Sequence, residues 1–316
     1  MKNIAVPYIL AAALALTACG GGGAASTPVA SPTSPTPGGS TPASSSRFQS
    51  VLIVVFENQD YAAVINNPAM PYLNSLARQY GLATQYFANT HPSIGNYFMM
   101  TTGQIVSNDD AFAGTVSADN VVRVLTGAGK RWKAYAQSLP SAGYVGGDAY
   151  PYIKHHNPFA YFSDVVNDGA QRANIVPLSQ LSADVAAGAL PHYGFVVPDN
   201  QHNSHDCPAG LATCTNNDKL AAADQWLQST VQPLLASAGF MNSGVLVIAF
   251  DESATDNSNG GGRIAAIVVS AKSRPGFASS SFYQHQNLLS LSLRQIGVQS
   301  APGAAAGANP MDEFFQ

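Results

Sequence analysis

Cysteine, charge and basic excess are all scarce in this chain of 316 residues, and each scarcity removes a class of protein. Three cysteines are too few for a miniature fold built on disulfides. Charged residues amount to 10%, which argues against a coiled coil and against charge-driven disorder. Lys plus Arg number 14 against 18 Asp plus Glu, a net charge of -4, so a general nucleic-acid binder with a basic face is excluded. Cys-x-Cys and Cys-x-x-Cys spacings are missing, which removes a zinc–thiolate site. Gly260-Gly261-Gly262 has no Gly-Lys-Ser/Thr after it and reads as a flexible, hairpin-like loop before a strand, not a phosphate loop. Pro92-Ser93-Ile94-Gly95 does not match the Gly-x-Ser-x-Gly elbow of α/β-hydrolases. Apolar residues, at 46%, suffice for a sizeable core, and the length allows one large domain or two ordinary ones.

The first 47 residues read as an address and a tether. Lys2 precedes an apolar stretch, Ile4 to Leu16, that is too short for a comfortable membrane span and ends in Leu16-Thr17-Ala18-Cys19. That ending resembles a bacterial lipobox, so residues 1–18 are expected to be a lipoprotein signal peptide and Cys19 the lipidated residue. Residues 20–46 carry no charge and are almost entirely Gly, Ala, Ser, Thr and Pro, the composition of a spacer. The expectation is an exported, membrane-anchored lipoprotein, periplasmic or on the cell surface, with one catalytic domain over 48–316. The Ala- and Gly-rich stretch after Gly297 is expected to be loosely ordered. Export puts Cys207 and Cys214 in an oxidising compartment, and their local spacing reads as one disulfide; the alternative is two buried thiols.

Continuous β-branched runs mark strands buried on both faces. Val51–Phe56 stops at Glu57-Asn58, Val245–Phe250 at Asp251-Glu252, and Phe195–Val197 at Pro198-Asp199-Asn200; Ile264–Val269 is a fourth strand. Helical stretches are predicted over 72–80, 118–128 and 218–235. The alternation predicts an α/β three-layer sandwich with a mostly parallel central sheet. Ligands of such sheets gather beyond the carboxyl ends of the strands. One acid at a strand end reads as a turn or cap residue, but three ends delivering acids and amides without a neighbouring Lys or Arg point to one or more divalent cations. Ser93, between Pro92 and a probable helix start, would present its hydroxyl at a positive helix end where an oxyanion is stabilised, with Asn96 three residues on. Taken alone, Ser93 reads as a helix cap; a base or metal would have to activate it.

Phe56-Glu57-Asn58-Gln59-Asp60, Thr90-His91-Pro92-Ser93-Ile94-Gly95-Asn96-Tyr97 and Phe250-Asp251-Glu252 resemble the bacterial phosphoesterase family of acid phosphatases and non-haemolytic phospholipases C. The spacing from Ser93 to Gly103 also resembles the nucleophile helix of the wider alkaline phosphatase-like superfamily. The resemblance spans roughly residues 50 to 298. It implies Glu57, Asn58, Ser93, Asp251 and Glu252 as metal ligands, Ser93 as nucleophile, and Asn96 as holder of a phosphate oxygen. His-Asn-Pro-Phe at 156–159 implies a phosphate-facing His156, with His155 as a further candidate. His205-Asp206-Cys207 implies His205 as general acid, while the additional His202 leaves that choice open; a late Tyr283-Gln284-His285 adds His285 as a candidate.

Gln59-Asp60 departs from the family's Arg-Ser or His-Ser. His192 and His91 read as structural, and Trp132 as core. The short chain favours the phosphatase branch of that family, and the resemblance then implies metal-dependent hydrolysis of small phosphate monoesters through a phosphoserine. The alternatives are a phospholipase C-type phosphodiesterase acting on a phospholipid, and a surface-tethered binding protein without turnover. A sulfatase is disfavoured because no Cys-x-Pro-x-Arg or Ser-x-Pro-x-Arg motif occurs. The partners expected are therefore such a substrate and, through Cys19, the membrane; the sequence gives no signal on oligomeric state.

Overall fold

The computed structural model describes residues 46–316. The expected signal peptide, lipidation at Cys19 and tether lie outside the described residues, apart from the last two before Phe48.

Eight strands form one sheet: β1 (Ser50–Phe56), β2 (Gly81–Phe87), β3 (Trp132–Ala136), β4 (Ile175–Pro177), β5 (Tyr193–Val197), β6 (Gly244–Phe250), β7 (Arg263–Val269) and β8 (Phe277–Ser279). Their order across the sheet is β4-β3-β5-β1-β6-β7-β2-β8. Only β7 runs against the rest, since it pairs antiparallel with both β6 and β2 while every other pairing is parallel. Every residue of β1, β5 and β6 is buried, as expected of unbroken apolar runs.

Helices α1 (Pro71–Gln79), α2 (Ser93–Thr102), α3 (Val121–Gly127), α4 (Ser179–Ala186), α5 (Asn216–Ala236) and α6 (His285–Gln295) are the longer ones. Strand parity assigns their faces. Ile53 pairs in register with Phe195, whose ring meets Tyr97 of α2 at 6.3 Å. Phe56, of opposite parity, meets Trp226 of α5 at 5.8 Å. Helices α2 and α5 therefore cover opposite faces, and the fold is a three-layer α/β sandwich. Thr215 starts α5 in a capping box with Asp218, and Asn120 caps α3 through the Val122 and Arg123 amides. That cap explains why α3 begins at 121 and not at 118.

Four expectations are corrected or completed here. The chain after Gly297 is packed: Ala305, Met311 and Phe314 are fully buried, and Gln316 N donates to Lys272 O. Composition concealed this because the few apolar residues of the tail do all the anchoring. The Gly260-Gly261-Gly262 segment does join the antiparallel pair β6–β7, but it is wedged and not loose. Added Cβ atoms at Gly260 and Gly261 would run into the main chain of Asn89 and Thr90. Trp132 is core, stacked on Phe159 with ring centres 5.0 Å apart. Cys207 and Cys214 are joined as a disulfide. Among the described residues, no helix is long and apolar enough to cross a membrane.

Candidate active site

Parallel strands bring their carboxyl ends to one edge, and the acids read from the sequence meet there. Register pairs Phe56 with Phe250, so Glu57 and Asp251 leave adjacent strands side by side. The Asn58 amide, in left-handed backbone (φ 49°), donates to Asp251 Oδ1 at 3.0 Å. Ser93 opens α2, and its Oγ donates to Glu57 Oε2 at 3.0 Å. Thus residues 36 positions apart in the chain share one hydrogen bond.

Asn96 lies one helical turn on. Its Oδ1 accepts from the amides of Asn89 and Thr90, and its Nδ2 donates to Glu252 Oε2 at 3.2 Å. The side chain thereby joins the approach loop to the β6 end. Asn58 acts as a donor, its Nδ2 reaching Glu57 Oε2 at 2.9 Å, and offers no oxygen to the carboxylates.

The histidines separate by environment. His156 is buried, with Nε2 3.2 Å from Glu57 Oε1. Burial, then the neighbouring His155 and His205, hold its pKa well below the ordinary value, so it is a neutral donor to Glu57. His155 stands edge-on to His156 with ring centres 4.4 Å apart, and burial lowers its pKa too. His205 is 45% exposed and its Nδ1 donates to Asp206 Oδ1 at 2.7 Å, which leaves Nε2 free. Burial raises the Asp206 carboxyl, but hydrogen bonds from His205 and Asn200 outweigh it and the net shift is downward. His202 is held by Asp199 at 2.7 Å. His285 is not aimed at the edge. Its Nε2 donates to the Asp251 carbonyl at 2.6 Å and its Nδ1 faces the Tyr86 hydroxyl, both fully buried. Burial pushes its pKa down to about 4, so it is a neutral support beneath Asp251.

Two contacts escaped the sequence reading. Tyr97 Oη donates to Glu57 Oε1 at 2.6 Å, and His91 Nδ1 sits 3.2 Å from Glu252 Oε2, so His91 belongs to the site and not to a bystander loop. Tyr97 follows Ser93 by four residues, a spacing that puts both on one helix face and could have revealed it. The loop that turns His91 inward has no such periodic signal.

Electrostatics define what the site needs. Burial, then the Asp251 charge, raises the Glu57 carboxyl well above its ordinary range. Burial lifts Asp251 to about 6 and, together with the Asp251 charge, Glu252 to about 9. Asp251 Oδ2 is buried with no hydrogen-bond partner among the described residues. No described Lys or Arg forms an ion pair with any of the three. Among the described residues, no three His, Cys, Asp or Glu side chains stand ready to hold a metal ion between them. In this arrangement the Ser93 hydroxyl and the Asn58 amide group cover Glu57 Oε2 instead. The donor set nonetheless fits a hard divalent cation, because clustered buried carboxylates and an unpartnered carboxylate oxygen are what such an ion would satisfy.

Comparison with known proteins gives a family and a fold. The phosphoesterase family model matches residues 62–298. A phosphatidylinositol-3-phosphatase of Mycobacterium tuberculosis is 28% identical over 270 residues, covering 85% of this chain and 83% of its own. A probable acid phosphatase of Kluyveromyces lactis is 30% identical over 217 residues, 66% of this chain. A phosphate-repressible acid phosphatase of Penicillium chrysogenum is 26% identical over 275 residues, 83% of this chain. The chain spans only 48% and 62% of the length of those two fungal relatives. Among solved structures, a protein of the alkaline phosphatase superfamily from Vibrio parahaemolyticus superposes with a TM-score of 0.58 at 14% identity, covering 83% of this chain and 70% of that one. The lipoteichoic acid synthase LtaP of Listeria monocytogenes gives 0.59 at 12%, covering 84% and 76%. The sheet and its helical layers are thus of the alkaline phosphatase type.

Proposed function

Because the chain belongs to the phosphoesterase family, we propose that it is an acid phosphatase-like hydrolase of phosphate monoesters that works through a phosphoserine at Ser93. The observation that carries the reading is the hydrogen bond from Ser93 Oγ to Glu57 Oε2 at the start of a helix.

The chain's own groups divide the work. The Ser93 Oγ–phosphorus bond forms as the bond to the ester oxygen breaks, and the hydroxyl proton passes to Glu57. Asn96 Nδ2, which donates to Glu252 and to the Thr90 carbonyl, turns the longer bond, that to Glu252, onto a phosphoryl oxygen when substrate binds. His205, acting as the imidazolium, gives its Nε2 proton to the leaving oxygen, with Asp206 holding the ring by Nδ1. Neutral His156 and Tyr97 keep Glu57 oriented. Water then attacks the phosphorus and gives a proton to His205 Nε2, the Oγ–phosphorus bond breaks, and Ser93 takes back its proton from Glu57. Glu57, Asp251, Glu252 and Ser93 are the residues that would hold a divalent cation, which when bound supplies charge neutralisation at the phosphoryl oxygens and a lower serine pKa.

The mycobacterial relative, matched over most of both chains, favours a phosphoinositide monophosphate as one substrate to test. The experiment compares an aryl phosphate, a phosphoinositide monophosphate and a choline phospholipid, before and after chelation. Monoesters are expected to turn over, Ser93→Ala to abolish it, and chelation to abolish it reversibly. A Ser93→Ala protein with full monoesterase activity rejects the mechanism, and preference for the choline phospholipid favours the phospholipase C reading. No turnover of any of the three with any common divalent ion would favour the non-catalytic binding protein.

A further inference from the structure

A well-formed hollow lies far from Ser93. A cavity of about 320 Å³ opens at the amino-terminal edge of the sheet, lined by Ser50 of β1, Phe240 before β6, and Lys130, Arg131 and His192. A second hollow adjoins it and shares Lys130 and Arg131, adding Lys133 and Trp132. Strand β1 separates the two edges: seven residues at about 3.3 Å each put this cavity roughly 23 Å from the acids.

Its charge is the reverse of the rest of the chain. Acids outnumber bases overall, yet neither hollow has an Asp or Glu among its lining residues. Lys133 is neutralised by Asp184 at 2.5 Å. Lys130 and Arg131 form no ion pair among the described residues, and residues 1–45 contain no acid that could supply one. His192 completes the group. Its Nδ1 accepts from the Arg131 amide at 3.0 Å, so the neutral ring carries its proton on Nε2. Burial, then Lys130 and Arg131, lower its pKa, which keeps it a neutral donor. The remaining wall is mixed, with Phe48, Leu190 and Phe240 beside the polar side chains of Gln49, Ser50 and Ser237. Arg131 spends one donor on the Leu190 carbonyl at 3.2 Å, and its remaining donors, Lys130 and the neutral His192 in a wall of mixed polarity form a receptor for an anion that carries an organic body.

We propose that this cavity is a second, non-catalytic site for an organic phosphate ester, held by Lys130, Arg131 and His192. The shared chemistry is a phosphate ester, whether borne by a bilayer headgroup or by a soluble molecule. The proposal does not depend on the reaction at Ser93.

The test uses the full chain with Cys19→Ser, so that no acyl group contributes to vesicle binding, and the same chain with Lys130→Ala and Arg131→Ala added. Binding is measured to vesicles of phosphatidylcholine with and without phosphatidylglycerol, and to soluble glycerol phosphate. Turnover of an aryl phosphate and its inhibition by inorganic phosphate are followed in parallel. Loss of two charge-assisted contacts is expected to weaken binding at this site by about tenfold or more, with turnover and inhibition unchanged. Loss confined to the anionic vesicles identifies a headgroup. Loss confined to glycerol phosphate, seen as one fewer bound equivalent, identifies a soluble ester. Equal binding by both proteins, or no binding beyond the catalytic edge, overturns the proposal.

Discussion

Glu57 takes three hydrogen bonds from side chains, from Ser93, Tyr97 and Asn58, and a fourth contact from His156. A buried carboxylate without such donors would protonate and lose its use as a base. Each hydrogen bond to a charged group contributes about 1.5–3 kcal/mol. Tyr97→Phe removes the shortest of them while keeping the ring against Phe195, and is expected to lower kcat/KM roughly 10- to 100-fold with the fold intact. Steady-state kinetics with a circular dichroism control checks this, and wild-type kinetics would show that Tyr97 only packs. Ser93, Glu57 and Asp251 were legible because each sits where a regular element starts or stops. His285 was legible only as a candidate, since its burial under Asp251 depends on how α6 docks.

At the scale of elements, the β6–β7 connection fixes the approach to Ser93. Gly260 (φ 108°) and Gly261 lie against the Asn89 and Thr90 main chain, the same two residues whose amides Asn96 accepts from. The Gly261 amide donates to the Ala88 carbonyl at 3.1 Å and the Ala88 amide to the Gly262 carbonyl at 2.9 Å, which ties the segments together. Gly260→Ala forces a side chain into a left-handed backbone and a closed space. Activity is expected to fall at least about tenfold, with a loss of stability of roughly 1–3 kcal/mol. Denaturant titration and kinetics measure both, and neutrality in the two would mean that the loop is as free as its composition suggested. The strands themselves were readable from β-branched runs, whereas a triple glycine cannot reveal whether it is free or wedged, because absence of side chains serves both.

Across the whole molecule, the last residues close the sheet opposite α2's start. Phe314 is fully buried and meets Phe277 and Tyr283 at ring-centre distances of 5.5 and 6.2 Å. Phe314→Ala is expected to cost about 3–5 kcal/mol in denaturant unfolding, against near zero for an unattached tail. The layer architecture was legible because element alternation is a property of the whole chain. Closure by the tail was not, because it rests on three aromatic and sulfur side chains in a run otherwise typical of a linker. The account as a whole stands on Ser93 accepting the phosphoryl group. Acid quench during turnover of an aryl phosphate labelled in the phosphoryl group, followed by peptide mapping, tests this most directly. Label on the peptide bearing Ser93, and none in Ser93→Ala, is the expected result; unimpaired turnover with the label never attached to Ser93 would contradict it.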